Sequence, residues 1–490
     1  MGLTLTRRRV LCRVRPRSGG GDIHSARDFR YSVVSEVIMK SLSSAFILAV
    51  LVSFSTAIPA ASATPEDELI LKARAFLSAL EKNDFQAAAE DFDGTMLKLS
   101  GPDKLAAFWK EAPVQFSPFR RQTAARRDTL GAYDIVLVTC KFEKQTLDAR
   151  VVFDKDKKIA GFQFIPSLPP ARYESPSYAD PARFAESDAT VGSGEWALPG
   201  TLTAPTGEGP FPALVLVHGS GPNDRDEAIG PNKPFKDLAW GLASRGIAVL
   251  RYDKRSRVYG AKIVTDPRLP FLTVKEETID DAVEAVRLLK KTSRIDGRRI
   301  FVLGHSLGGM LIPRIALAAK DLGPAGFISM AGLTRTLEDT MLQQMTYLYG
   351  LDGQISAGEA QQNEALKAQI AQVKAFKDSD RGAAKPMIFN APPAYWLDLR
   401  GYYPPETAKS MDRPFLILQG ARDYQVTVED FDNWKKALEG RPGVVFRLYP
   451  KCNHLFFEAE GIPSPMEYQL KHGSVATQVI DDIADFILKN

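Results

Sequence analysis

Histidine and cysteine are scarce in this 490-residue chain, which has five of the first and three of the second. Outside the first 63 residues only Cys140 and Cys452 remain, too few for a disulfide framework or a zinc cluster. Two separate buried thiols and no metal are the expectation. No glycine-rich dinucleotide fingerprint is present, so no organic cofactor is implied. Internal repeats at solenoid periods are missing. Apolar runs long enough to span a membrane are also missing, with one exception near the start.

That exception is MKSLSSAFILAVLVSFSTAIPAASA at 39–63. Lys40 supplies a positive start, Ala45 to Phe54 an apolar stretch, and Ala61-Ser62-Ala63 a small-residue cleavage signal before Thr64. This order predicts a secretory signal peptide, with the mature protein secreted or periplasmic after cleavage near Ala63 and not stably inserted in a membrane. Residues 1–38 are Arg-rich and unpatterned, as expected of an upstream extension translated from a misassigned start. Arg7-Arg8-Arg9 lacks the closely following apolar region that a twin-arginine signal needs.

An excess of basic charge vanishes with that leader. Residues 1–63 hold nine Lys or Arg against three Asp or Glu, so their removal takes the formal charge from +4 to −2. Nucleic acid is therefore not an expected partner. Of the remaining residues, 64–166 form a unit of their own. Leu69, Ala73, Phe76, Leu77 and Leu80 recur at helical spacing, KLAAFWKEA predicts a second helix, and three alternating segments between 132 and 166 predict strands. Helices followed by a curved antiparallel sheet resemble the nuclear-transport-factor-like domain found ahead of bacterial hydrolases. The proline-rich stretch 167–184 is the expected linker.

From 185 to 490 the pattern is of short apolar strands alternating with helices, after an entry hairpin formed by DATVGSGEWA and PGTLTAP. Nearly continuous apolar strands at 213–219, 246–253, 299–306, 325–332, 414–420 and 444–450 predict an α/β fold with a mostly parallel sheet covered on both faces. Chemistry in such sheets collects at the carboxyl ends of the strands. Residues 333–411 exceed an ordinary crossover and predict a helical cap whose aromatics, Tyr347, Tyr349, Tyr395, Trp396, Tyr402 and Tyr403, either line a pocket or pack the cap.

Four motifs fall at strand ends in a telling order. GHSLGG at 304–309 puts Ser306 in a strand-to-helix turn of the G-x-S-x-G kind. A serine hydroxyl needs a base and an acid behind that base to act as a nucleophile. His454, in KCNHLFF just past a strand, is preferred as base over His472, which precedes the last helix, and over His305, which should point into the fold. Asp423, in GARD directly after a strand, is preferred as acid over Asp430 and Asp432 at a helix start. HGSG at 218–221 offers the backbone N–H of Ser220 as half of an oxyanion hole, with the N–H of Leu307 as the other half. His218 has a structural role in this scheme, and Arg251 and Arg255 in RYDKR are expected in salt bridges. Pro313 should cost the following helix a hydrogen bond.

LVHGSGPNDRD, GHSLGG, GARD and NHLF together make residues 185–490 resemble the α/β-hydrolases, close to bacterial serine esterases related to dienelactone hydrolases and acyl-peptide hydrolases. The resemblance implies Ser306, Asp423 and His454 as the triad and a small-molecule ester as substrate, hydrolysed through an acyl-enzyme. A serine peptidase of the prolyl-oligopeptidase type is the alternative enzyme, and a binding protein with a retired site the alternative outside catalysis. The oligomeric state is not legible.

Overall fold

In the computed structural model the described residues are 67–490, apart from 131–132, 168–172, 384 and 470. The expected leader and upstream extension, and part of the expected linker, lie outside them. Residues 67–167 begin with helices Glu68–Glu81, Phe85–Ala89, Gly94–Ser100 and Pro102–Phe116. Asp67, Asp84 and Asp93 accept backbone N–H bonds at the first turns of the first three, which explains where each starts. The sheet that follows is antiparallel, in the order β1 (Phe119–Leu130), β2 (Tyr133–Phe142), β3 (Thr146–Phe153), β4 (Ile159–Pro166). Leu69, Ala73, Phe76, Leu77 and Leu80 are all buried, as the periodicity predicts.

β1 was not expected. Its sequence, FRRQTAARRDTL, has no apolar alternation because it is an edge strand that carries four arginines. Arg120 pairs with Glu143, and Arg127 with both Asp67 and Asp134. Charged edges of this kind protect a sheet from pairing with other chains.

The second sheet has eight strands. β5 (Phe184–Val191) and β6 (Leu198–Pro205) form the antiparallel entry hairpin, and the rest are β7 (Phe211–Val217), β8 (Ala248–Tyr252), β9 (Ile295–His305), β10 (Gly326–Met330), β11 (Phe415–Gly420) and β12 (Val444–Tyr449). Their order is β12-β11-β10-β9-β7-β8-β6-β5, and the six strands from β7 onward run parallel to their neighbours in this group. Every residue of β8, β10 and β11 is buried, which is what helices on both faces require.

Register brings the useful strand ends to one edge. Val217 pairs with Gly304, His305 with Met330, Met330 with Leu418, and Gly420 with Tyr449. The loops carrying HGSG, GHSLGG, GARD and NHLF therefore leave the sheet side by side. Between β10 and β11 the chain forms helices Leu337–Tyr349, Ala357–Ala375, Pro393–Leu399 and Pro404–Ala408, within the stretch expected to be a helical cap. Arg314 grips Asp398, and Tyr402 donates to the carbonyl of Met310, so this insertion is tied to the helix Leu307–Ala318. That helix runs through Pro313 unbroken.

Candidate active site

Ser306 sits between β9 and the helix Leu307–Ala318 with φ 54° and ψ −114°. A non-glycine residue in that region stores backbone strain, which persists only where its surroundings impose it. Here they do. A Cβ on Gly304 would overlap the backbone of Gly308, and one on Gly308 would come within 2.5 Å of the Val217 carbonyl. The flanking glycines thus let the helix start directly over β7 and β9, and Ser306 is left half-buried at the strand edge. Its N–H donates to the Met330 carbonyl at 2.9 Å, locking the turn to β10.

The expected acid and base meet. His454 Nδ1 lies 2.6 Å from Asp423 Oδ2, and the Asp423 side chain is wholly buried. The other carboxylate oxygen accepts N–H bonds from Gln425 at 2.8 Å and Val426 at 3.0 Å, which fixes its rotamer. Behind His454, Asn453 Oδ1 accepts from the N–H groups of Leu455 and Phe457 and shapes the loop. A Cβ on Gly420 would stand 2.5 Å from the Cys452 carbonyl, so glycine there lets the base loop close over the acid's strand. Nδ1 bound to a carboxylate leaves Nε2 as the free nitrogen of the ring, the arrangement a general base needs.

Gly219 brings the HGSG loop against the serine, since a Cβ there would lie 3.1 Å from Ser306 Cβ. The N–H of Gly219 is already committed to Glu227 Oε1 at 2.6 Å. The next amide along is that of Ser220, the donor expected from sequence. Leu307 opens its helix, where N–H groups lack intrahelical acceptors.

Residues weighed and set aside fall elsewhere. Asp430 is fully buried and receives Thr334 and Arg335, while His472 bonds the backbone of Glu174. Arg251 pairs with Asp226 and Glu186, and Arg255 with Asp281, as structural salt bridges. His218 packs edge-on against Tyr252, and burial pushes it down to about 4, so it stays neutral. Of the insertion's aromatics, Tyr347 stacks on Tyr424 beside Asp423, whereas Tyr402 and Trp396 bond backbone carbonyls as packing residues. Cys140 and Cys452 are buried and unpaired, and burial pushes both thiols up to about 12. Among the described residues no group of His, Cys, Asp and Glu is arranged to hold a metal ion.

Sequence reasoning missed Glu227, Asn223 and Lys254. Lys254 is buried, pairs with Glu277 at 2.8 Å and donates to the Gly219 carbonyl at 2.8 Å. The RYDKR segment had drawn attention only to its arginines, although the lysine between them is the one that reaches the loop. Glu227 also touches His305 Nδ1 at 2.8 Å. Burial opposes charge on both groups, but the attraction between them outweighs it, holding His305 above the ordinary imidazole value and Glu227 below the ordinary carboxylate value.

Comparison with known proteins agrees with this architecture. Residues 214–461 match the model of the alpha/beta hydrolase family, and residues 73–162 match that of a protein of unknown function, DUF3887. The chain is 40% identical over 416 residues to Esterase EstD of Thermotoga maritima, covering 84% of this chain and 94% of that relative. Similar solved structures include Est1E from Butyrivibrio proteoclasticus, at 16% identity, 62% and 98% coverage and a TM-score of 0.38. Pyrococcus furiosus esterase Pf2001 gives 15% identity, 66% and 99% coverage and a TM-score of 0.38. The chain belongs to the α/β-hydrolase family.

Proposed function

We propose that this α/β-hydrolase is a carboxylesterase that cleaves small to medium esters through an acyl-enzyme on Ser306. His454 takes the serine proton as Oγ attacks the ester carbonyl, then returns it to the departing alcohol. Asp423 holds the imidazole in the right tautomer and balances its charge. The N–H groups of Ser220 and Leu307 receive the oxyanion, each donor contributing roughly 3 kcal/mol in the transition state. Water then enters by the same base and releases the acid. The Asp423–His454 contact at the edge where Ser306 occupies its strained turn is the observation that carries this reading. The likeness to a protein named esterase supports an ester over an amide as substrate.

Protein starting at Thr64 should react with a fluorophosphonate probe and hydrolyse p-nitrophenyl esters, and a series of acyl chain lengths would rank substrates. Ser306→Ala should abolish both labelling and turnover. Equal hydrolysis by that variant would overturn the assignment, and faster cleavage of aminoacyl amides than of esters would favour a peptidase. Residues 39–63 are part of the same proposal as an export signal. Expression from Met39 in a bacterium should yield periplasmic protein beginning at Thr64 by N-terminal sequencing, and cytoplasmic retention of intact chain would reject export.

A further inference from the structure

Gly219 is gripped from both sides by buried charge. Its N–H donates to Glu227 Oε1 at 2.6 Å. Its carbonyl receives the Lys254 ammonium at 2.8 Å and Asn223 Nδ2 at 3.3 Å. That carbonyl shares a peptide plane with the N–H of Ser220, and in a planar trans peptide the two point in opposite directions. Whatever holds the Gly219 oxygen therefore aims the Ser220 N–H. Lys254 is held in turn by Glu277, in the π-helical turn Lys275–Ile279, which Ser256 and Thr278 also bond.

The grip continues to the base. Glu227 Oε2 lies 2.8 Å from His305 Nδ1, and His305 Nε2 lies 3.0 Å from the backbone carbonyl of His454. A carbonyl oxygen only accepts, so His305 Nε2 carries a proton. Burial opposes charge on the ring, but attraction to the Glu227 carboxylate outweighs it and favours the imidazolium. Its ring centroid is 4.7 Å from that of His454. Glu227, His305 and Lys254 are all buried, so Glu227 and His305 are held by each other, and Lys254 by Glu277, rather than by water.

We propose that Glu227, His305 and Lys254 are positioning residues of the hydrolytic reaction, forming an ionic brace that aims the Ser220 N–H and sets the oxyanion loop at a fixed distance from His454. This rests on the reading of Ser306, His454 and Ser220 given above. A brace of this kind acts where negative charge develops on the substrate oxygen, so its loss lowers kcat and leaves substrate binding nearly untouched.

The test uses Lys254→Met, Glu227→Ala, His305→Ala, the conservative Glu227→Gln and the double variant Glu227→Ala/His305→Ala, all in protein starting at Thr64. Lys254→Met and Glu227→Ala should each lower kcat roughly 10- to 100-fold with KM within about threefold, less than outright loss of an oxyanion donor because the N–H is misaimed rather than removed. Affinity for a trifluoromethyl ketone, which forms a tetrahedral adduct on serine, should fall by the same factor as kcat. Gln at 227 keeps an acceptor for the Gly219 N–H but no charge opposite His305, and should recover part of the loss. The double variant should be no worse than its poorer parent, because both residues act along one path. Variants that unfold at lower temperature yet keep parental kcat and inhibitor affinity at 25 °C would overturn the proposal, as would a loss confined to KM. If Glu227→Ala fails to fold, Lys254→Met and Glu227→Gln carry the same kcat and inhibitor comparison. Retained activity in Ser306→Ala would instead overturn the underlying reading, so the two failures are distinct.

Discussion

The two sheets of this protein bury charge in different ways. In the amino-terminal sheet the fully buried carboxylate is Asp148 on β3, bonded by Arg126 on β1, Thr139 on β2 and Ser167 at the end of β4. Those partners belong to the same four-stranded sheet, so strand pairing alone delivers them. In the larger sheet buried carboxylates join segments that no ladder pairs. Glu227 joins the loop after β7 to the end of β9, Asp430 joins the helix after β11 to the loop after β10, and Asp237 joins Tyr173 to the N–H of Val475. The first arrangement stabilises a sheet. The second makes loops at strand ends rigid enough to hold a reacting group, at the cost of burying charges that must find each other.

Four substitutions break or sharpen this contrast, in descending order of effect. Asp423→Asn leaves the loop's shape but supplies the wrong partner for the imidazole, and should lower kcat for ester hydrolysis by about 10³- to 10⁴-fold. A near-parental rate in that variant would remove Asp423 from the reaction. Gly420→Ala pushes against the Cys452 carbonyl, so the base loop must shift. A displacement of that kind should cost roughly 100-fold in kcat, together with a lower Tm; unchanged kinetics would mean that the loop yields without moving His454.

Asp148→Ala, by contrast, strands Thr139, Ser167 and Arg126 in the amino-terminal sheet. It should destabilise that domain by about 1–3 kcal/mol in denaturant unfolding while leaving kcat at 25 °C as in the parent. A matching loss of turnover would show that the sheets are coupled in catalysis. The smallest effect concerns pH. Burial pushes Asp237 up to about 7, against the bonds from Tyr173 and Val475 that partly lower it. The folded protein therefore binds this proton more tightly than the unfolded chain, whose carboxyl has its usual value of 3.8. Stability from this group falls as pH rises from about 4 to 7. Asp237→Asn should flatten the dependence of Tm on pH across that window, and an unaltered slope would place the dependence elsewhere.

Much of the fold was legible because the parallel strands of the larger sheet carry short, nearly continuous apolar runs. ALVLVHG, RIFVLGHS and PFLILQG needed no tertiary information. β1 of the smaller sheet was missed for the converse reason, since this edge strand is rich in arginine and carries no apolar period. Ser306, Asp423 and His454 were selected by their position just past strand ends, and Asp423 and His454 do meet in the fold. Lys254 lies equally close to a strand end and Glu227 sits deep in the loop after β7, and nothing local distinguishes a buried charge from a solvated one.

What the sequence determined by itself is the set of strand ends and the order of motifs upon them, because strand, turn and helix starts are written in neighbouring residues. Only the tertiary structure decided that Glu227, His305 and Lys254 converge on Gly219 and His454. A buried charge is tolerated where a partner from another loop neutralises it, and which loops meet is set by how the whole sheet is ordered.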